Sequence, residues 1–137
     1  MPPAGDDYRS PMLFMQVAQE ALGITSEACG VSIYELKAKG RSRASIAFAR
    51  QIAMYLAHVV GQLTLADISI VFERDRTTVA YALAMIEDRR DSPMFDRQME
   101  YLSSEFRLRL EVLFSRMRLR RAPTEIDVEI ARRRLGR

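Results

Sequence analysis

Thr64-Leu65-Ala66-Asp67-Ile68-Ser69-Ile70-Val71-Phe72-Glu73-Arg74-Asp75-Arg76-Thr77-Thr78-Val79 is the stretch on which the fold turns. Its first half predicts a short helix. Thr64 is a good N-cap residue, Asp67 stands where a capping box needs its acid, and Leu65, Ile68 and Phe72 share one face. Glu73-Arg74-Asp75 breaks that helix. A second helix then runs from about Thr77 to Arg90, with Val79, Leu83 and Ile86 along one side. Two helices joined by so short a break predict a helix-turn-helix. The second helix opens among Arg74, Arg76, Thr77 and Thr78. The arginine fork matches a guanine edge, threonine offers a hydroxyl and a methyl, and free N–H groups at a helix start attract phosphate. Asp-x-Thr-Thr is also ordinary capping chemistry, so local features alone leave both readings open.

The flanks continue in helices. Ser10-Pro11 reads as an N-cap and first helical residue, followed by Leu13, Phe14, Val17, Ala18, Ala21 and Leu22 at helical spacing, with Gly30 as the stop. Cys29 reads as a small buried side chain at that helix end. Ser32 caps a short second helix bearing Ile33 and Leu36 and ending at Gly40. Lys37 to Arg43 form a basic loop. A third helix from about Ser45 to Val60 carries Ile46, Ala49, Ile52, Ala53, Leu56 and Val60 as an apolar stripe, and Gly61 terminates it. Beyond the quoted stretch, Ser92-Pro93 restarts the chain. Residues 94–119 then form a long amphipathic helix through Phe95, Met99, Leu102, Phe106, Leu110, Leu113, Phe114 and Met117. Its apolar stripe suits either packing on the domain or pairing with a second copy. Pro123-Thr124 opens a charged last helix to about Leu135.

Composition narrows the function classes. At 137 residues, 48% of them apolar and 28% charged, the chain can bury one core without staples. A single cysteine and a single histidine (His58) exclude an internal disulfide and a structural zinc site. They also leave little for nucleophilic catalysis. No apolar run is long enough to span a bilayer, and Met1–Ser10 lacks the order of a signal peptide. The net charge of +3 hides a gradient: −3 over residues 1–30, 0 over 31–106 and +6 over 107–137. Nineteen of the 21 basic residues are arginine. That bias suits phosphate and guanine contacts, though a GC-rich coding sequence produces it too.

Several separated blocks now combine: Arg41-Ser42-Arg43, Ala49-Arg50-Gln51-Ile52-Ala53-Met54-Tyr55-Leu56-Ala57, Leu63-Thr64-Leu65-Ala66-Asp67-Ile68, Phe72 to Val79, and Ile86-Glu87. Together they resemble the C-terminal DNA-binding domain of the DnaA family, the bacterial chromosomal replication initiators, from roughly Val17 to Leu102. The resemblance implies a Trp-repressor-like helical domain whose recognition helix enters the major groove of double-stranded DNA. It places Arg41 and Arg43 in a loop entering the adjacent minor groove, and Arg50 and Gln51 in the Arg-Gln pair of the long helix. Leu65 and Ala66 match the backbone-touching start of the motif's first helix. Arg74, Asp75, Thr77 and Thr78 match the Arg-Asp-x-Thr-Thr signature.

The sequence also departs from the family. Glu73 stands alone where two glycines usually precede Arg-Asp, Arg76 replaces a histidine of the signature, and His58 replaces a lysine. The basic loop is one residue longer, which leaves open whether Arg41 or Arg43 is the minor-groove residue. No Gly-rich phosphate loop of the initiator's ATPase domain occurs.

The sequence therefore predicts an all-α protein: a helical bundle with a helix-turn-helix plus a C-terminal amphipathic helical extension. The expected divisions are a disordered tail (1–10), the DNA-binding domain (11–92), the long helix (93–122) and a charged terminal helix (123–137). The expected function is sequence-specific binding of double-stranded DNA, as a transcriptional regulator or a modulator of replication initiation. The chain is expected to be cytoplasmic and nucleoid-associated, with no enzymatic activity, cofactor, metal, membrane or small-molecule substrate. A homodimer through residues 94–119 would suit paired half-sites. The alternative is a protein-protein module derived from a DNA-binding domain. The expected DNA-binding residues are Arg41, Arg43, Arg50, Gln51, Leu65, Ala66, Arg74, Asp75, Arg76, Thr77 and Thr78.

Overall fold

The helix from Ala44 to Val59 is apolar on nearly every side, and this dictates the architecture. Ala49, Ile52, Ala53, Met54, Tyr55, Leu56 and Ala57 are all buried, which is broader than the single stripe that the spacing predicts. A helix apolar all round needs cover all round. The computed structural model, which describes residues 11–120 and 125–136, places it at the centre. Among the described residues there are seven helices and no strand: α1 (Pro11–Cys29), α2 (Ile33–Lys37), α3 (Ala44–Val59), α4 (Leu65–Phe72), α5 (Arg76–Arg89), α6 (Pro93–Arg120) and α7 (Glu125–Leu135). α1, α2, α4 and α5 all pack on α3, and α6 packs on α1. The expected tail over residues 1–10, the cap at Ser10 and the break at Pro123-Thr124 lie outside the described residues.

Local chemistry sets the helix ends. Ser32 caps α2 and Thr64 caps α4, each with a complete capping box: the hydroxyls accept from the Glu35 and Asp67 amides, and the carboxylates accept from the cap N–H groups. Gly30, at φ 66°, ends α1 in the left-handed region that glycine adopts freely. Gly61 acts differently. The left-handed residue at the end of α3 is Gln62, at φ 60°. Gly61 is needed for space, because a Cβ there would stand 2.6 Å from the Ala57 carbonyl oxygen and 2.9 Å from Val17 Cγ1. The buried cysteine expected at the end of α1 is corrected: Cys29 is exposed, since the last turn of α1 projects beyond the core before the chain turns into α2.

The long helix spends its apolar stripe on the domain. Met99, Phe106, Leu110 and Phe114 are buried, and Phe95, Leu102, Leu113 and Met117 pack at their edges. Burial stabilises by about 1.5–3 kcal/mol for each large side chain, so this face is firmly committed to α1. An ion pair between Arg109 and Glu27 reinforces the contact.

The junction of α5 and α6 is held by one arginine. Arg90 Nε donates to Asp96 Oδ1 at 2.6 Å, Nη1 donates to the Tyr55 hydroxyl at 3.1 Å, and Nη2 pairs with Glu100. Tyr55 in turn donates to Glu87 Oε2 at 2.7 Å. Burial opposes the charged form of Arg90. The bonds to Asp96, Tyr55 and Glu100 outweigh it and push the pKa above the ordinary arginine value. Burial, then the bond to Glu87, raises the pKa of Tyr55. The node thus ties α3, α5 and α6 together at the far end of α5 from its first turn.

Candidate nucleic-acid interface

α5 divides its two faces cleanly. Val79, Ala82 and Ile86 are buried against the core, with Leu83 half-buried. At about 100° per residue, Thr77, Tyr81 and Ala84 fall on the opposite side, with Ala80 next to them. All four are exposed, and Tyr81 is 62% accessible. Arg76 and Thr78 flank this face at the first turn and are exposed as well. Tyr81, Ala80 and Ala84 were not among the residues singled out from sequence. The signal was present in their spacing from Thr77, one and two turns along.

The start of α5 is uncapped by side chains. Asp75 is the N-cap, with φ −63° and ψ 150°, yet its carboxylate makes no capping bond. Capping chemistry therefore does not account for Asp75-Arg76-Thr77-Thr78 here. The first turn, without a side-chain cap, exposes Arg76, Thr77 and Thr78, two hydroxyls and an arginine at a helix N-terminus that suits an anion.

The turn between α4 and α5 is built without the glycine that such a position favours. Glu73 ends α4 in the left-handed region at φ 53° and ψ 49°. Its N–H donates to the Ser69 carbonyl, the Arg74 N–H reaches that same carbonyl at 3.1 Å, and the Ser69 hydroxyl donates to the Arg74 carbonyl. A non-glycine residue held there carries strain of order 1–3 kcal/mol, offset by these local bonds.

The basic loop lies against this turn. Ala38, the C-cap of α2, accepts at its carbonyl from Arg74 Nη2 at 2.6 Å. Lys39 Nζ stands 3.6 Å from Glu73 Oε2, an exposed ion pair worth little by itself. Arg41 and Arg43 are exposed, and among the described residues neither is engaged in an ion pair. The start of the loop, at Ala38 and Lys39, is thus held against the turn before α5, and its Arg41 and Arg43 are exposed.

The structure treats the other expected residues unequally. Arg50 is buried: Nε donates to the Leu36 carbonyl at 2.7 Å, Nη2 to Glu35 O at 3.1 Å and Ala38 O at 3.4 Å, and Nη1 to Ser42 Oγ at 3.4 Å. Burial, and then the charge of Arg74, lowers its pKa. Arg74 is half-buried, with Nη1 donating to Phe72 O at 2.6 Å. These two arginines are engaged inside the protein rather than standing free. Gln51 is half-exposed on the next residue of α3. Leu65 and Ala66, half-exposed, stand at the other end of α4 from the turn, about 12 Å away along an eight-residue helix. His58 is half-exposed, its Nδ1 bonded to the Leu63 carbonyl at 2.7 Å.

Known proteins share this segment. A family model described as the bacterial dnaA protein helix-turn-helix matches residues 19–86. The chromosomal replication initiator protein DnaA of Mycobacteroides abscessus is 43% identical over 65 residues, which cover 47% of this chain and 13% of that protein. The chain thus spans only a small part of that relative's length. The matched segment begins within α1 and ends in α5, leaving α6 and α7 outside it. Residues 19–86, which carry the basic loop, the left-handed turn and the open face of α5, are thus a segment similar to the bacterial dnaA protein helix-turn-helix.

Proposed function

We propose that this chain is a sequence-specific reader of duplex DNA and takes no chemical step. α5 lies in the major groove with Arg76, Thr77, Thr78 and Tyr81 toward base edges, and the loop from Lys37 to Arg43 follows the adjacent minor groove. Asp75, Gln51, Leu65 and Ala66 contribute at the margins, at bases or backbone. The observation that carries this reading is the exposed first turn of α5, uncapped by side chains, with the preceding turn tied through Arg74 and Ala38 to a loop that exposes Arg41 and Arg43. Phosphate contacts from such a loop supply affinity, and side chains in the groove supply the choice of sequence. The role is occupancy of sites like those of the replication initiator, acting on transcription or on initiation.

Pairing of two copies belongs to the same proposal. The buried stripe of α6 is spent on α1, so pairing falls to the exposed strip of Met94, Tyr101, Leu108 and Val112. Among the described residues no helix is long and apolar enough to cross a membrane.

The test is selection of bound sequences from a random duplex pool. Enrichment of one element, with or without a symmetric second half-site, is the expected result. A recovered pool indistinguishable from the input, at salt where binding is still measurable, would sink sequence-specific reading. Light scattering on the same samples reads the mass of the free and bound protein.

A further inference from the structure

The basic loop and the turn of the helix-turn-helix lie more than thirty residues apart in sequence and share one carbonyl. Ala38 O accepts from Arg74 Nη2 at 2.6 Å and from Arg50 Nη2 at 3.4 Å. Arg74 Nη1 simultaneously takes Phe72 O, a carbonyl left open by the end of α4, at 2.6 Å. Arg50 takes Leu36 O and Glu35 O in the last turn of α2. α2 has only five residues, so it cannot hold itself by its own ladder. From the last residue of α2 onward the chain bears Lys37, Lys39, Arg41 and Arg43 around Gly40, which sits at φ 93°. Four like charges on so short a segment repel, and in isolation the loop would spread. Two guanidiniums beneath it, anchored on α3 and on the turn, hold its backbone by the carbonyls instead.

We propose that Arg74 is a positioning residue: its fork joins the end of α4 to the end of α2 and so fixes the basic loop at a set distance from the first turn of α5. This rests on the reading of the site as a duplex-DNA interface. Loop and helix then meet two adjacent grooves as one body, and the cost of ordering the loop is met before DNA arrives. The geometry needs arginine. One planar group must serve Phe72 O and Ala38 O at once, which a lysine ammonium on a flexible stem does poorly. Arg50 is the second strut, anchored on α3.

The experiment uses the full chain with Arg74→Gln and Arg74→Lys. Hydrogen exchange of the free protein reads amides 36–43, and binding to the selected duplex is measured on the wild-type and the Arg41→Ala/Arg43→Ala backgrounds. Both variants are expected to speed exchange in the loop while α3 and the body of α5 keep their protection. Affinity is expected to fall about five- to tenfold on the wild-type background and less than about twofold where the loop arginines are gone, the non-additivity of a residue acting through others. Equal losses on both backgrounds would show that Arg74 touches DNA itself and would overturn the proposal. Unchanged loop exchange in both variants would also overturn it. A chain that binds no duplex refutes the DNA reading, while the exchange arm still decides the strut. Should Arg74→Gln fail to fold, Arg74→Lys keeps the charge and loses the fork. A lysine variant matching wild type in exchange and affinity overturns the requirement for a fork.

Discussion

Replacing Arg90 with methionine keeps most of the stem volume and removes the fork that joins α3, α5 and α6. The magnitude follows from what each bond loses. The Arg90 side chain is only 16% exposed, and Asp96, its partner at 2.6 Å, is 43% exposed. A charge-assisted bond contributes about 1.5–3 kcal/mol, and this one falls at the lower end because Asp96 can return to water. Glu100 is 62% exposed and adds about 0.5 kcal/mol at most. The Tyr55 hydroxyl keeps Glu87 as its acceptor and loses only a donor at 3.1 Å, a further 0.5–1 kcal/mol or so. The sum is about 2–3 kcal/mol. For a chain of this size that is a fall in Tm of about 8–12 °C, at roughly 4 °C per kcal/mol. Scanning calorimetry and urea melts of wild type, Arg90→Met, Asp96→Asn and the double variant give the cycle, with a coupling of about 1 kcal/mol or more expected. A loss under about 0.5 kcal/mol, or simple additivity, would refute the view of Arg90 as the node of this junction. DNA binding well below the melting range should barely change, because the node lies at the far end of α5 from its first turn.

Thr77→Ala and Thr78→Ala should each leave stability within about 0.5 kcal/mol, since neither side chain caps α5, while costing about 1–3 kcal/mol on the selected duplex if it contacts a base. Paired urea and binding titrations check this, and a stability loss without a binding loss would return those residues to a folding role. Arg41→Ala with Arg43→Ala should flatten the dependence of log affinity on log salt by up to about 1.8. An unchanged slope would place the loop away from phosphate. Gly61→Ala should destabilise by about 1–3 kcal/mol, because its methyl must push into the Ala57 carbonyl and Val17. A wild-type urea midpoint would show that α1 and α3 separate without cost. Tyr55 has a raised folded pKa, so the native state holds its proton longer than the unfolded chain. Its contribution should be complete below about pH 10 and fade as pH rises further, a loss that Tyr55→Phe should reduce in melts across that range.

The sequence marked helix ends better than it marked helix neighbours. The Thr64 and Ser32 caps were readable because capping is a local bond between residues three apart. The stripe of α6 was readable as a stripe, but its partner was not, since packing and pairing require the same spacing. Arg50 and Arg74 looked like surface cations because arginine usually is one. Their burial depends on the carbonyls of Glu35, Leu36 and Ala38, which no side-chain pattern reveals. A hint did exist for Arg50, which lies on the same face of α3 as Ala53 and Ala57, both buried. Glu73 gave no hint of its left-handed backbone, because the local bonds around Ser69 replace the freedom glycine would bring. Cys29 was misjudged because a residue-type preference cannot see that the last turn of α1 overhangs the core.

The division of α5 has a consequence for how such a reader changes over time. Val79, Ala82 and Ile86 hold the helix in the fold, whereas Thr77, Tyr81 and Ala84 look away from it. Substitutions on the outer face leave the core untouched, so on the proposed reading the preferred base sequence could drift one residue at a time without passing through an unstable chain. With α5 in the groove as proposed, the small side chains of Ala80 and Ala84 would act as a rail along which the helix lies close to the groove floor. Enlarging either would lift the helix and degrade every contact together. On the proposed reading, recognition is therefore open to revision at Arg76, Thr77 and Tyr81, and closed to it at the two alanines between and beyond them.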